Sequence, residues 1–229
     1  MKVFDAPDLR GLLKIFRDRE DAGETLARFL QEKLSVRNKL VVLAIPRGGV
    51  PIGCVLSKML NAEFDLVVVR KIPIPWDPEA GFGAVTPDGE IYVDKKVISY
   101  LGLSNKMIKE LVESVLEEIK RREKVFLGDR PRVALGGKNI ILVDDGLATG
   151  YTMLAAVNYA KKEKPNRIFI AVPTASKHAL DLLSRHVDAI YCLNVRSGVP
   201  YFAVADAYVN WRDLTDDDVL QFLKKYGYL

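Results

Sequence analysis

Cysteine is scarce in this chain: among 229 residues only Cys54 and Cys192 occur, each set among apolar neighbours. Two such thiols build no disulfide scaffold, and the expectation for them is a pair of buried free thiols. No apolar run reaches the ~18 residues of a membrane-spanning helix, and the segment Met1 to Asp8 lacks the apolar core of a signal peptide. These absences predict a cytoplasmic protein with no membrane partner. Neither sign of charge dominates, since 34 Lys and Arg stand against 30 Asp and Glu, giving a net charge of +4, and the bases are spread along the chain. There is no basic stripe with spaced aromatics and no appended helix-turn-helix, which argues against a nucleic-acid partner. Internal repeats and low-complexity tracts are also missing.

What is present is core material. The chain is 49% hydrophobic, with a mean hydropathy of +0.04, enough for one large α/β domain or a domain with a lid. Apolar residues at helical spacing, Ala22, Leu26, Phe29, Leu30 and Leu34, predict a helix over Arg19 to Leu34. A strand at Leu40 to Ile45, a helix over Pro51 to Leu60 and a strand at Phe64 to Arg70 follow. Ile72 to Gly89 is rich in Pro and Gly and reads as a long loop. Glu90 to Asp94 then reads as one arm of a hairpin turning at Pro87-Asp88-Gly89. Ser104 is placed to cap a helix running to Leu127, with Gly128 as its stop. Strands at Asn139 to Val143, Arg167 to Val172 and Ala189 to Val195 alternate with helices at Thr152 to Lys162 and Lys177 to Arg185, and Thr215 is placed to cap a last helix over Asp216 to Tyr226. Such alternation predicts a Rossmann-like, doubly wound α/β fold with a mostly parallel sheet, formed as one domain over residues 1–229.

The most informative run is IILVDDGLATGYT, from Ile140 to Thr152. Four apolar residues suit a strand covered on both faces, and its carboxyl end is where open α/β sheets bind ligands. Asp144 and Asp145 stand at that end. Adjacent carboxylates repel unless donors or a cation intervene, so the pair implies an occupant. The small residues that follow lead into a helix N-terminus, whose unpaired N–H groups and dipole favour an anion. The run is no Walker A loop, because Gly146 and Gly150 enclose three residues and Tyr151 stands where that loop has Lys. A phospho-acceptor receiver would carry its acids on the first strand, which ends instead in Pro46-Arg47.

The run resembles the phosphoribosyl pyrophosphate motif of the type I phosphoribosyltransferases: apolar residues, two acids, two small or apolar residues, then a small residue, Thr, Gly, any residue and Thr. Gly146 departs from it, since an aliphatic residue is more usual there. The resemblance implies the type I phosphoribosyltransferase fold with a small hood or lid. It also implies that Asp144 and Asp145 hold the ribose hydroxyls close to Mg2+, and that Ala148, Thr149, Gly150, Tyr151 and Thr152 wrap the 5′-phosphate. Magnesium would take most of its ligands from substrate oxygens and water, with the two carboxylates as its protein partners.

Further segments extend the resemblance. Ile45 to Gly53 carries Arg47, Gly48 and Gly49; alone this is as readily an ordinary strand-to-helix turn. Beside the acid pair it resembles the pyrophosphate loop, which in the family often contains a non-proline cis peptide. Arg70-Lys71 either solvates two bases at a strand end or, by resemblance, opens the hood, with Lys71 as a catalytic residue stabilising the leaving group. The resemblance implies a mobile lid over residues 71–95, in which Trp76 and Phe82 either cover a base or pack on the loop itself. A C-terminal hood segment over residues 196–229 holds Phe202, either stacked on a base or in the core.

The implied activity is magnesium-dependent transfer of ribose 5-phosphate from phosphoribosyl pyrophosphate to a nitrogenous acceptor, with release of pyrophosphate, as in nucleotide salvage, by a homodimer. By the same resemblance, Ala148 stands where hypoxanthine and guanine enzymes carry an Asp beside the base, with Glu79 or Asp206 as candidates for a replacement acid. The alternative is a non-catalytic sensor of phosphoribosyl pyrophosphate or nucleotide.

Overall fold

A computed structural model describes residues 2–93, 95–198 and 202–229, with the backbone alone at 78–80 and 95–96. Lys2–Asp5 forms β1 and Arg19–Lys33 forms α1, capped by the Asp18 side chain. Leu40–Ala44 (β2), Gly49–Leu60 (α2) and Glu63–Leu66 (β3) follow. Arg70–Ile74 (β4), Asp77–Val85 (β5) and Ile91–Val93 (β6) precede Lys95–Leu101 (α3) and Asn105–Leu127 (α4). Asn139–Val143 (β7), Tyr151–Lys162 (α5), Arg167–Ser176 (β8), Lys177–Leu183 (α6), Ala189–Arg196 (β9) and Asp216–Lys225 (α7) complete the order.

Six strands pair in parallel in the order β1-β9-β8-β7-β2-β3. Alternate residues feed two cores, as the period of two in a strand requires. Val42, Ala44, Ile141, Val143, Phe169 and Tyr191 face α1, α2 and α7. Val41, Leu43, Ile140, Leu142, Ile170 and Ile190 face α5 and α6. The sheet is therefore buried on both faces, and this is why its strands read as continuous apolar runs. Strand order reverses between the adjacent β2 and β7, so the loops after these two strands flank the topological switch point. The doubly wound α/β fold is the one predicted, with an unforeseen β1 added at one edge.

The segment around residues 70–93 departs from expectation. The strand predicted over Phe64 to Arg70 ends at Leu66, and Arg70 begins a separate antiparallel sheet of order β4-β5-β6. The Pro- and Gly-rich stretch is thus largely strand. Pro73 sits at a register shift of β4 and Pro75-Trp76 forms the turn, the two places where a strand accommodates proline. Ile72, Phe82 and Val85 pack on Val112, Val115 and Ile119 of α4, forming a third core. Phe82 is therefore a core residue, whereas Trp76 is exposed at the hairpin tip. The hairpin turn at Gly89, the Ser104 cap and the Gly128 stop occur where the sequence places them. Among the described residues, no helix is long and apolar enough to cross a membrane.

Candidate active site

The two loops at the switch point are built against each other. The Ile45 N–H donates to the Val143 carbonyl at 2.9 Å, tying the end of β2 to that of β7. The peptide bond Pro46–Arg47 is cis. Gly48 lies so near the Asp145 carboxylate that a Cβ there would collide with it. α2 starts at Gly49 rather than at Pro51, so Arg47 and Gly48 sit at a helix N-terminus.

On the β7 side, Asp145 is held from three directions. Arg19 at the start of α1 donates from Nε to Asp145 Oδ2 at 2.8 Å, the Tyr208 hydroxyl donates to its carbonyl at 2.6 Å, and its own N–H donates to Asp144 Oδ1 at 2.9 Å. Arg19 is buried, lies 4.0 Å from the Trp211 ring centroid and also donates to the Arg212 carbonyl at 3.0 Å. Burial and the adjacent Asp145 charge hold the Asp144 carboxyl well above its usual range. Burial raises Asp145 as well, but the Arg19 guanidinium pulls it back toward the ionised form. The acids are thus unequal: among the described residues, Asp145 has a cation as a hydrogen-bond partner and Asp144 has none.

After the acids the chain is pinned to β8. Leu147 N–H donates to the Thr174 carbonyl at 3.0 Å and the Ser176 hydroxyl to the Ala148 carbonyl at 2.6 Å. Ala148 and Thr149 remain exposed, and Tyr151 and Thr152 open α5, presenting N-terminal N–H groups. Two cavities adjoin here. One of about 320 Å³ is lined by Ala148, Thr149, Gly150, Tyr151 and Thr152 together with Gly81 and Gly83 of β5. The other, of about 370 Å³, is lined by Arg47, Gly48, Arg70, Arg122, Asp145 and Arg19. Lys71, Asp144, Thr152 and Val204 line both.

The structure therefore brings Arg47, Gly48, Lys71, Asp144, Asp145 and Ala148–Thr152 to one place, with Gly49 directly behind, packed on the Val143 carbonyl. Phe202 lines neither cavity; it is half-buried with the Arg196 guanidinium 5.9 Å from its ring centroid, and Val204 faces the site instead. Asp206 also lines neither, and the Glu79 side chain lies outside the described residues. Among the described residues, no group of three or more His, Cys, Asp or Glu side chains is placed to hold a metal. The acid pair by itself is no metal cage, but it fits a Mg2+ that arrives with substrate oxygens and water as its main ligands.

Sequence reasoning did not single out Arg19, Trp211 or Arg122. Two of them leave a trace. Arg19 opens a helix whose next residues are Glu20 and Asp21, a cation where the dipole prefers acids. Arg122 stands three residues after Ile119 and four before Phe126, inside the apolar stripe of α4.

A doubly wound parallel sheet, with the loops after β2 and β7 meeting at its switch point, defines the class of fold. The family model described as the phosphoribosyl transferase domain matches residues 102–204. A Mycobacterium tuberculosis H37Rv protein, Rv0571c, provisionally named a phosphoribosyl transferase, is 35% identical over 213 residues, covering 93% of this chain and 47% of that protein. The chain thus spans about half the length of the curated relatives it matches. The crystal structure of TT1426 from Thermus thermophilus matches with a TM-score of 0.73 at 33% identity, covering 92% of this chain and 98% of that one. The chain belongs to the phosphoribosyltransferase family.

Proposed function

We propose that the protein binds phosphoribosyl pyrophosphate with Mg2+ and transfers its ribose 5-phosphate to a nitrogenous acceptor, releasing pyrophosphate, in the manner of a nucleotide-salvage enzyme. The observation that carries this reading is the sharing of Asp144, Lys71 and Thr152 by two cavities. A ligand spanning both would place a phosphate at the α5 N-terminus and a second anionic group beside Arg47, with its sugar between them at Asp144. In the reaction the C1′–O bond breaks, its electron pair leaves with pyrophosphate, and the acceptor nitrogen bonds to C1′ and gives up its proton to water. Arg47 and Lys71 act on the leaving group. Asp144 and Asp145 fix the ribose hydroxyls near the positive charge that develops on the ring. Mg2+, when bound beside the acids, offsets charge on the diphosphate.

The hairpin from Arg70 to Val85 serves as the lid in this reading, with Lys71 on its first strand and Gly81 and Gly83 on its second, and closure excludes water from the ring. Val204, Trp211 and Leu214 of the C-terminal segment also line the larger cavity. Cytoplasmic residence and a homodimer belong to the same proposal.

The test is calorimetry with phosphoribosyl pyrophosphate and Mg2+, followed by pyrophosphate release assays over a panel of nucleobases and other nitrogen nucleophiles. Binding with release supports the transferase. Binding with no release for any acceptor turns the reading into a sensor, and no binding sinks both.

A further inference from the structure

Four arginines from three parts of the chain meet at the edge of the larger cavity. Glu118 Oε1 accepts from Arg70 Nη1 at 3.2 Å and from Arg122 Nε at 2.9 Å, and Glu118 Oε2 accepts from Arg121 Nε at 2.6 Å. Asp216, in the first turn of α7, accepts from Arg121 Nη2 through Oδ2 at 2.6 Å. Its other oxygen, Oδ1, is buried and has no hydrogen-bond partner among the described residues. That oxygen nevertheless lies 3.6 Å from Arg47 Nη1 and 3.9 Å from Arg122 Nε. It is near enough for ionic attraction and too far for a hydrogen bond.

Among the described residues of this cluster, four guanidinium groups share the carboxylates of Glu118 and Asp216, and Arg47, Arg70 and Arg122 all line the cavity that Lys71 and Asp144 also line. Burial and the neighbouring cations lower the pKa of both Arg70 and Arg122 against the opposing pull of Glu118, as expected where several cations share one anion. A diphosphate brings several oxygens able to bond guanidinium forks directly, which the single Oδ1 of Asp216 does not do.

We propose that Arg70 and Arg122 extend the anion-binding wall begun by Arg47, and that Asp216 is an internal counter-anion which occupies this wall in competition with a diphosphate ligand. This inference rests on the proposed function for the identity of the ligand. Anion binding then draws Arg47 and Arg122 away from Asp216 and weakens the attachment of the α7 N-terminus to the site. α7 itself survives that loss, because its cap is made by Thr215 and Asp218, which bond each other's backbone N–H groups at 2.8 and 3.1 Å.

Calorimetric titration of inorganic pyrophosphate with Mg2+, and of phosphoribosyl pyrophosphate, into the wild type, Asp216→Asn, Arg122→Gln and Arg70→Gln tests the proposal. Asp216→Asn is expected to bind both ligands about three- to tenfold more tightly, and each arginine variant about tenfold more weakly. Ribose 5-phosphate, whose phosphate goes to the α5 N-terminus, should bind all four proteins alike. Arg70 is less buried than Arg122, so Arg70→Gln carries the test if Arg122→Gln fails to fold. Unchanged or weaker pyrophosphate binding by Asp216→Asn overturns the competition and leaves Asp216 a structural anchor. Unchanged binding by a folded arginine variant overturns the extended wall. A wild type that binds neither ligand refutes the proposed function and this inference together, whereas wild-type binding with unresponsive variants refutes this inference alone.

Discussion

Arg19 donates to Asp145 across 126 residues of chain at 2.8 Å, with its guanidinium 4.0 Å from the ring centroid of Trp211. One end of the pair is fixed by packing on an indole, so the carboxylate is held in position as well as in charge. Removing the cation strands a largely buried charge, which typically costs about 3–5 kcal/mol. Arg19→Gln should therefore lower the urea midpoint sharply and weaken binding of phosphoribosyl pyrophosphate. Arg19→Lys should fall between the two, because it keeps the charge and loses the planar fork. A wild-type midpoint for Arg19→Gln would contradict the role given to the pair.

Asp144 is expected to behave in the opposite way. It is crowded by burial and by the charge of Asp145, so neutralising it relieves repulsion. Asp144→Asn should leave the melting temperature of the ligand-free protein equal to or a few degrees above that of the wild type, while eliminating ligand binding in calorimetry. Asp145→Asn should lose both stability and binding, because Arg19 is then left unpaired. If Asp144→Asn unfolds the protein instead, the carboxylate is structural and the site reading loses its centre.

The Glu118 cluster sets an acid limit. Hydrogen bonding from Arg121, with the charges of Arg122 and Arg70, holds the Glu118 carboxyl down at about 2 against a burial penalty. A depressed carboxyl stabilises the fold fully above its unfolded value, near 4.5, and that contribution disappears as pH falls through about 2. With the exposure of Arg121 discounted for solvent screening, the contribution is on the order of 1 kcal/mol. Glu118→Gln should be less stable than the wild type at pH 7 by that amount, and the two denaturation curves should converge as pH is lowered toward 2. A gap that stays constant over that range would show that the charge is not responsible.

The sheet was legible because both its faces are covered: β7 was bounded to the residue, and β2, β8 and β9 to within a few, by uninterrupted apolar runs. The placement of Asp144, Asp145 and the loop into α5 was legible for a related reason, since the apolar run marks where the buried strand ends. The small sheet was not. Pro73, Pro75, Gly81 and Gly83 read as loop residues, and only the tertiary cover of α4 over Ile72, Phe82 and Val85 makes strands of them. β1 was missed because four residues carry little pattern, and its strand exists through pairing with β9. Arg19 and Arg122 line the larger cavity from distant parts of the chain, and no local spacing joins them.

Gly146 is the one position at which the motif departs from its family pattern, and the structure supplies a reason. A Cβ on Gly146 would come within 2.6 Å of Val204 Cγ1 and 2.9 Å of Thr174 Cγ2, so the volume an aliphatic residue would fill belongs to Val204. Val204 lines both cavities, which makes this a trade of one apolar side chain for another across the site. Gly146→Val alone should overpack and destabilise by about 1–3 kcal/mol, and Val204→Ala alone should cost about 1 kcal/mol or more through the space it opens. The double variant should be more stable than the sum of the two losses, with a coupling above about 1 kcal/mol in urea denaturation. Additive losses would mean that the two positions do not share a volume, and that the departure at Gly146 has another cause.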